Sequence, residues 1–414
     1  MTITRVTRAG AFLLAAALSL TACGGDGGES GSDSSGEIRV MVVGISSPSA
    51  AFGGISFPYG IEGVKAAAEA INAAGGIDGR MIKVDTCDPK GDPNQSAQCG
   101  RTAIKNKDVA VLGTFDPIGA RQLLTVLEAG KVPYLGGLPT STAEFTSPVS
   151  FQFDPGPVLS AGAIVELWKD SGCTQVASIL PANPGNDEVA KQQGDASEAA
   201  GLAVTTALIK PGTADITPSL STALSKKPDC FTYGGDGQTN VKYILGLKKL
   251  GYTGKIITSS GSLTPQFLEP LGAAGNGIIV LNSTLQPTSD DPMVKQFMKE
   301  LSTHFKGDKK KVMENANEFG QDGWSSVQLM KQAMEKAKAY DSAALLKTIP
   351  TMCDVNVGNV YPHVNFCKPA VESKIVPRVY NDHWRYFTVR NGQYVESDTE
   401  WHDASQSVPG TEGR

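Results

Sequence analysis

The chain has 414 residues with a formal net charge of −5 at pH 7, and 19% of its residues are charged. Its lysines and arginines form neither a cluster nor a stripe interleaved with aromatic residues, which argues against nucleic acid as a partner. After the N-terminal region, no run of about 18 apolar residues occurs, which excludes a membrane-spanning body. A body of about 380 residues is too long for one hydrophobic core, so we expect two lobes.

The N-terminus has the pattern of an export signal. Arg5 and Arg8 precede the apolar run Ala9–Leu20, which is too short to span a bilayer. The run ends in Leu-Thr-Ala-Cys, which resembles a bacterial lipobox and makes Cys23 the expected lipid-bearing first residue. The alternative is an ordinary signal peptide with an incidental cysteine. Residues 1–22 are therefore predicted as a lipoprotein signal peptide and residues 23–36 as a flexible, core-free tether, which gives an extracytoplasmic location at the cell membrane.

Residues 37–150 alternate short apolar strands with helical segments. Ile38–Val43 is a continuous apolar run, typical of a strand buried on both faces of a sheet. Tyr59–Ala74 carries an apolar stripe at helical spacing and stops before a Gly-Gly pair. Further strands are predicted at Met81–Val84, Val109–Leu112 and Val132–Leu135, with a helix presenting Ala120, Leu123, Leu124 and Leu127 on one face. This alternation predicts a parallel α/β lobe.

The pattern restarts and predicts a second parallel lobe over residues 151–285. A helix containing Ile164, Leu167 and Trp168 leads into five strands, at Gln175–Leu180, Ala203–Ile209, Cys230–Tyr233, Lys255–Thr258 and Gly277–Leu281. In the common doubly wound order, the first and third of these strands are neighbours. Residues 286–395 are predicted to supply two amphipathic helices, segments that cross between the lobes and a final strand at Trp384–Val389. Residues 396–414 read as a disordered tail.

The cysteines indicate disulfides rather than metal ligands. With Cys23 lipidated, six remain, and an even number outside the cytoplasm favours disulfide pairing. Six cysteines allow several connectivities. Chain order suggests the three local pairs Cys87–Cys99, Cys173–Cys230 and Cys353–Cys367. No Cys-x-x-Cys and no histidine at metal spacing occurs, so no metal site is predicted.

Ile71–Val84 (INAAGGIDGRMIKV) resembles the signature that follows the first helix in periplasmic solute-binding proteins of the leucine/isoleucine/valine-binding type. The resemblance extends over roughly Glu37 to Val389. It implies two doubly wound parallel-sheet α/β lobes, joined by three hinge strands, that close over a small molecule, as in type I periplasmic binding proteins. It also implies a monomer without a cofactor that delivers its ligand to an ABC importer permease.

The resemblance assigns ligand contacts in two loops of the first lobe. Ser46–Ile55 matches a loop whose aromatic residue packs on the ligand, here Phe52, although a core aromatic under the loop is the alternative. Leu138–Ala143 matches a stretch that supplies a backbone N–H and a hydroxyl to a ligand carboxylate. A hydroxyl-rich turn without ligand is the alternative there. The candidate contacts in this stretch are Thr140, Ser141 and Thr142.

A third loop of the first lobe, Gly113–Gly119, departs from the family pattern. Relatives have a turn whose serine meets the ligand carboxylate, and this chain offers Phe115, Asp116 and Ile118 instead. Asp116 before Pro117 also fits a helix N-cap with proline at the first helical position. Either role, helix cap or ligand contact, is open from the sequence.

In the second lobe, the loop Pro181–Asn186 lies where relatives often place a tyrosine or acidic residues, and it contains neither. Asn183 lies in one loop, and Asp236 lies in a Gly-Gly-Asp-Gly turn where local backbone bonding is the alternative. Ser260 and Ser262 occupy the loop where amino-acid-binding relatives carry the acid that pairs with an ammonium. A buried ammonium without a carboxylate partner is costly, so an amino acid fits poorly unless Asp116 or Asp236 takes the place of that acid. An amide, a urea-like compound or a small aromatic acid is therefore considered beside a branched-chain amino acid.

Two other functional classes are an enzyme and a ligand sensor. An enzyme is disfavoured because the chain has no Gly-x-Ser-x-Gly, P-loop, His-Glu-x-x-His or dinucleotide-binding glycine pattern. The spacing of Asp88, Asp92 and Asn94 misses a calcium-binding EF-hand loop. A ligand sensor that acts through a membrane signalling partner would have the same two lobes, so the sequence does not separate it from an importer component.

Overall fold

The computed structural model describes residues 36–235, 237–263, 267–358, 363–398 and 400–411. The predicted signal peptide, Cys23 and all of the tether except Gly36 lie outside the described residues, as does Asp236. In the described part of the chain, no helix combines the length and apolar character needed to cross a membrane.

Strands and helices alternate through most of the described chain. The strands are β1 Ile38–Gly44, β2 Ile82–Cys87, β3 Val111–Phe115, β4 Tyr134–Gly137, β5 Ser150–Phe151, β6 Gln175–Pro181, β7 Ala203–Ile209, β8 Cys230–Tyr233, β9 Lys255–Ser259, β10 Ile279–Asn282, β11 His383–Arg390, β12 Gln393–Glu396 and β13 His402–Asp403. The helices are α1 Tyr59–Ala73, α2 Pro93–Asn106, α3 Ala120–Gly130, α4 Gly156–Asp170, α5 Pro184–Ala200, α6 Thr217–Leu224, α7 Gly237–Lys249, α8 Leu268–Leu271, α9 Pro292–His304, α10 Lys309–Asn315, α11 Glu318–Ala337 and α12 Ser342–Thr348.

The first lobe is built on a parallel sheet with the order β2-β1-β3-β4-β5. Alternate residues of β1 reach opposite faces: Val40 and Val42 join the core under α1 and α11, whereas Met41 and Val43 join the core under α2 and α3. Burial of both faces explains the continuous apolar run in the sequence. The predicted parallel α/β lobe is confirmed.

The second lobe has the order β7-β6-β8-β9-β10, all parallel, and is extended by β11 and β12 in antiparallel pairing. The first and third strands of this lobe, β6 and β8, are neighbours, as the doubly wound pattern predicts. The strand predicted near the C-terminus is β11, and it belongs to this sheet. The two-lobed, doubly wound α/β fold is therefore confirmed.

Three chain segments pass between the lobes, and hydrogen bonds join them. They run from β5 to α4, from β10 to α9, and from the segment after α12 to β11. The Ser283 hydroxyl lies 2.5 Å from Asp154 Oδ2, and Asn381 Nδ2 donates to the Phe153 carbonyl at 3.1 Å. The side chains of Asp154, Ser283 and Asn381 are buried. Hydrogen bonds thus link the three crossing segments to one another beside the space between the lobes.

Helices α1 and α11 of the first lobe cross with their backbones in direct contact. A Cβ atom added at Gly63 would lie 2.0 Å from the Gly320 carbonyl oxygen. One added at Gly323 would lie 2.1 Å from the Gly60 carbonyl oxygen. Only glycine permits such an approach, because the neighbouring atoms belong to the main chain and cannot rotate away. The crossing fixes the position of α11, whose first residue is Glu318.

All three cysteine pairs suggested by chain order are present as disulfides. The Cα–Cα distances are 5.7 Å for Cys87–Cys99, 5.8 Å for Cys173–Cys230 and 4.9 Å for Cys353–Cys367. Cys173 and Cys230 precede and open the neighbouring strands β6 and β8 at the same edge of the sheet, which brings them together. Within the described residues, the cluster with metal-ligand spacing is Cys173, Asp229 and Cys230, and the disulfide uses its two sulfur atoms.

The C-terminal segment packs on the second lobe over residues 400–411, in the region that the sequence predicts as a disordered tail. His402 pairs with Trp384 through β13 and stacks on Tyr386 with ring centroids 3.9 Å apart. Ala404 and Val408 are buried in the core of the second lobe. No hydrophobic pattern predicts this packing, because these two apolar residues are isolated in a polar stretch of the sequence. Residues 399 and 412–414 lie outside the described residues.

His304 at the end of α9 joins two carboxylates of α1. Its Nε2 and Nδ1 atoms each lie 2.8 Å from a carboxylate oxygen, of Glu62 and Glu69 respectively. Burial alone would lower the pKa of His304, but the hydrogen bonds to both glutamates outweigh it and raise the pKa. Burial would likewise raise the pKa of Glu62, and the bonds from His304 and Lys65 outweigh it and lower the pKa. The contact is therefore strongest when the histidine is charged and the glutamates are ionised.

We expect His304→Gln to lower the free energy of unfolding by about 1 kcal/mol, with a defined pH dependence. The raised pKa of His304 makes its contribution complete below the ordinary value of 6.5 and lost as the pH rises through the folded-state pKa. The lowered pKa of Glu62 makes its contribution complete above 4.5 and lost as the pH falls. Urea denaturation should thus show the largest difference from wild type between these two values.

His363→Gln is the matched control, because that histidine is exposed and contacts a single exposed carboxylate, Asp354. It should change stability by no more than a few tenths of a kcal/mol. A His304→Gln deficit that stayed constant from pH 5 to pH 9 would contradict the assignment.

Candidate functional site

A cleft of about 1310 Å³ lies between the two lobes. The last residues of five strands line it, from both sheets: Phe115, Pro181, Ile209, Tyr233 and Ser259. Open parallel sheets bind ligands in the crevice outside the carboxyl ends of their strands. The cleft therefore occupies the position where this architecture places a small molecule.

An aromatic cluster forms the first-lobe side of the cleft. It consists of Phe52, Phe57, Tyr59, Phe115 and Phe319. The ring centroids of Phe57 and Phe115 are 5.1 Å apart, and those of Phe115 and Phe319 are 4.9 Å apart in an edge-to-face arrangement. Four of the rings are half-buried, and Phe319 is buried. The cluster offers a planar or apolar group a large contact surface.

Glu144 fixes the loop of residues 138–142 through hydrogen bonds to its backbone. Its Oε2 accepts the backbone N–H groups of Thr140 at 2.7 Å and Ser141 at 2.9 Å, and its Oε1 accepts the Tyr134 hydroxyl at 2.7 Å. Burial raises the pKa of Glu144 to about 7, against the opposing effect of these three donors. Ser141 completes a capping box with Glu144 by accepting the Ala143 N–H.

The N–H of Thr142 is bound by a carboxylate from the other lobe. It donates to Glu188 Oε2 at 3.0 Å, and Glu188 Oε1 lies 3.8 Å from Arg121 Nη2. Glu188 belongs to α5 of the second lobe, whereas Thr142 and Arg121 belong to the first. The loop that the resemblance assigns to a ligand carboxylate therefore has its backbone donors at residues 140, 141 and 142 occupied by protein carboxylates.

Glu318 is a buried carboxyl group on the wall of the cleft. Its Oε2 accepts the Ser260 hydroxyl at 2.9 Å, and its Oε1 lies 2.8 Å from the Ser283 hydroxyl. Ser283 is also 2.5 Å from Asp154 Oδ2. A hydroxyl has one hydrogen, so it donates to one of these carboxyl groups and requires a proton on the other. Burial, joined by repulsion from Glu318, raises the pKa of Asp154 well above its usual range, and burial also raises the pKa of Glu318.

Five of the residues predicted from the sequence line the cleft, and five of the others do not. Those on the cleft are Phe52, Phe115, Thr140, Asn183 and Ser262. Those away from it are Asp116, Ile118, Ser141, Thr142 and Ser260. The eleventh candidate, Asp236, lies outside the described residues. Asn183 also caps α5 through its side-chain oxygen, which accepts the Asn186 N–H at 2.9 Å.

Asp116 does not line the cleft, and the helix predicted to begin at Pro117 begins later. Its side chain is buried and accepts the Gly119 N–H at 3.0 Å, so it closes a turn. Helix α3 begins only at Ala120, with Gly119 at the N-cap, and Pro117 is not a helical residue. Residues 117–119 form a turn before the helix. Burial raises the pKa of Asp116.

Sequence reasoning did not identify Phe57, Tyr59, Phe319 and Glu318 as cleft residues. Phe57 lies in the loop after β1 and Tyr59 is the first residue of α1, so the aromatic residues of this connection are a signal that the sequence contains. Glu318 and Phe319 open a helix that is distant in sequence from every other cleft loop. Their placement results from the contact between α1 and α11, which no local pattern encodes.

Comparison with known proteins agrees with this geometry. A family model described as periplasmic binding protein matches residues 40–366. A search of curated proteins finds no match. The structure resembles the leucine-binding protein LivK of Thermotoga maritima, with a TM-score of 0.70 at 16% identity over 87% of this chain and 97% of that one.

Two further structures show the same likeness. LivJ of Streptococcus pneumoniae, solved with isoleucine, gives a TM-score of 0.70 at 17% identity over 89% of this chain and 99% of that one. A fatty acid ABC transporter substrate-binding protein of Thermomonospora curvata gives 0.72 at 16% identity, over 91% and 95%. At these identities the likeness concerns the fold.

Proposed function

The chain belongs to the periplasmic binding protein family, and from that premise we propose that it captures a small molecule between its lobes and delivers it to an ABC importer permease. The observation that carries the proposal is the cleft of about 1310 Å³ lined by strand ends of both lobes. Contacts from both lobes to one molecule favour the closed form, so binding shifts an open–closed equilibrium. A permease that recognises the closed form would therefore bind mainly the protein that carries ligand.

The proposal includes the mode of attachment. The family works outside the cytoplasm, and the Leu-Thr-Ala-Cys sequence supports lipid on Cys23 as the anchor at the membrane. The small, polar residues that follow support a tether long enough for the lobes to reach a permease. The protein would act as a monomer, without a cofactor.

Five residues of the cleft are proposed as ligand contacts from the sequence assignment, namely Phe52, Phe115, Thr140, Asn183 and Ser262. Thr140 has the strongest support. Thr140 is 5% exposed, and its hydroxyl has no hydrogen-bond partner among the described residues. A buried hydroxyl without a partner is unfavourable unless a bound molecule supplies one.

A thermal-shift screen of the purified protein tests this function. The compounds are branched-chain and aromatic amino acids, amines, amides, ureas, aromatic acids and fatty acids. A ligand at 100 times its dissociation constant adds about 2.7 kcal/mol to stability, which gives a clear shift. Deletion of the gene should lower cellular uptake of the same compound.

The screen has a matched pair of variants. Thr140→Ala is expected to weaken binding of the identified compound about fivefold, through loss of one hydrogen bond. Thr146→Ala lies in the following turn, away from the cleft, and should bind normally. A screen in which no compound shifts the melting temperature would contradict the proposed function, as would chemical conversion of the bound compound.

A further inference from the structure

We propose that the ligand is an organic amine that binds as an ammonium ion, has a planar or apolar body, and lacks a carboxylate beside the amine, with Glu318 as the group that receives the ammonium. The inference rests on the proposed function and specifies its ligand. It replaces the expectation, drawn from Ser260 and Ser262, that the absence of an acid in their loop disfavours an amino group.

The first step is the buried carboxyl group of Glu318, which is the ionised member of the pair when the proton that the shared Ser283 hydroxyl requires lies on Asp154. Among the described residues that line the cleft, Glu318 is the acidic or basic residue that is buried, with 8% exposure. Within the described chain, no lysine, arginine or histidine nitrogen is paired with Glu318 or with Asp154. The three polar groups within hydrogen-bond distance of Glu318, namely the Ser260 and Ser283 hydroxyls and the Gly261 N–H, are all neutral, and both hydroxyls are shared with a second acceptor, Asn282 for Ser260 and Asp154 for Ser283. A buried carboxylate is favourable when a cation accompanies it, and a ligand ammonium would supply that cation.

The second step is the position of Glu318. It reaches the loop after β9 from the first lobe, since an added Cβ at Gly261 would lie 3.1 Å from Glu318 Oε2. This is the loop of Ser260 and Ser262, where the sequence lacks an acid. The carboxylate is therefore present at that loop, but helix α11 supplies it.

The third step concerns the other end of an amino acid. A ligand carboxylate needs free donors, and the resemblance places them in the loop of residues 138–142. There the N–H groups of Thr140 and Ser141 are held by Glu144, and that of Thr142 is held by Glu188. An added carboxylate would face these two existing carboxylates. The geometry thus provides for the amine of a ligand, whereas the backbone donors that the resemblance assigns to a ligand carboxylate are already occupied.

The fourth step is the body of the ligand. Phe319 follows Glu318 directly, and its ring lies 4.9 Å from Phe115 and 6.0 Å from Phe57. An ammonium at Glu318 would place its substituent against these rings, whose faces also favour a nearby cation. The lysines on the cleft, such as Lys242 and Lys309, are exposed at its rim, so their charge stays in water.

Isothermal titration calorimetry with four probes that share a phenyl group and differ in their polar end tests the inference. The probes are 2-phenylethylamine, phenylacetamide, phenylacetate and L-phenylalanine. We expect 2-phenylethylamine to bind most tightly of the four. Glu318→Gln keeps the shape and removes the charge, and it should weaken amine binding at least about 30-fold while phenylacetamide binds as before. Loss of the preference for amine over amide is a result that a merely structural role of Glu318 would not produce.

Glu314→Gln is the matched control, because Glu314 lines the same cleft from α10 and is only half-buried. It should leave amine affinity within about twofold, as for a solvated charge. Equal amine binding by wild type and Glu318→Gln would overturn the inference. Tighter binding of phenylacetate or L-phenylalanine than of the amine would overturn it as well and would leave the proposed function intact. If none of the probes binds and the wider screen also finds no ligand, both proposals fail together.

Discussion

Replacing Cys173 and Cys230 together by alanine is expected to lower the free energy of unfolding by about 4 kcal/mol. The disulfide closes a loop with a sequence separation of 57 residues, and a longer loop restricts the unfolded chain more strongly. Both cysteines are also buried in the core of the second lobe, so their truncation removes packed atoms. Urea denaturation of the oxidised proteins measures the difference.

The double variant at Cys353 and Cys367 is the control for this prediction. Its loop has a sequence separation of 14 residues, and both cysteines are exposed, so the same entropy model gives about 3 kcal/mol and no packing loss. A deficit for the Cys173 and Cys230 variant no larger than for this control would show that loop length and burial do not govern the contribution of these disulfides.

Gly63→Ala should destabilise the first lobe by about 3 kcal/mol or more. The added methyl group would lie 2.0 Å from the Gly320 carbonyl oxygen, which is far inside contact distance. The obstructing atoms are main chain, so α1 and α11 must separate and lose packing along their length. The midpoint of urea denaturation should fall. Ligand affinity should fall too, because α11 carries Glu318 and Phe319.

Gly194→Ala is the matched glycine-to-alanine control, and it is expected to raise stability instead of lowering it. Gly194 lies inside α5, and a Cβ atom there would meet no heavy atom within 4 Å. Alanine is favoured over glycine in a helix interior, so this variant should gain about 0.5–1 kcal/mol. If the two substitutions had similar effects, the close approach of α1 and α11 would not be a determinant of stability.

The fold was largely predictable because its signals are local. Continuous apolar runs such as Ile38–Val43 report burial on both faces of a sheet, and the stripe of α1 reports one buried helix face. The observed strand boundaries differ from the predicted ones by a few residues where strands extend toward the cleft. Strand β3, for example, continues to Phe115. Polar or small residues at strand ends carry no apolar signal, so the sequence pattern stops early there.

The site was less predictable because its chemistry depends on contacts between distant segments. The sequence identified the loop of Thr140 and its hydroxyl groups. It did not reveal that Glu144 and Glu188 occupy the backbone donors of that loop. Glu318 reads as an ordinary polar residue at a helix start, and only its proximity to Ser260 and Ser283 shows its relation to the cleft. A side chain's partner across two lobes is not encoded in spacing.

The packing of the C-terminal segment on the second lobe has a practical consequence. The described chain begins at Gly36, just before β1 in the first lobe, and its last described residues pack on the second lobe through Ala404 and Val408. The two ends are thus attached to different lobes. A donor fluorophore before residue 36 and an acceptor after residue 411 would convert the proposed lobe closure into a change in energy-transfer efficiency. The protein is therefore suited to serve as an optical sensor for its own ligand, without any label inside the cleft.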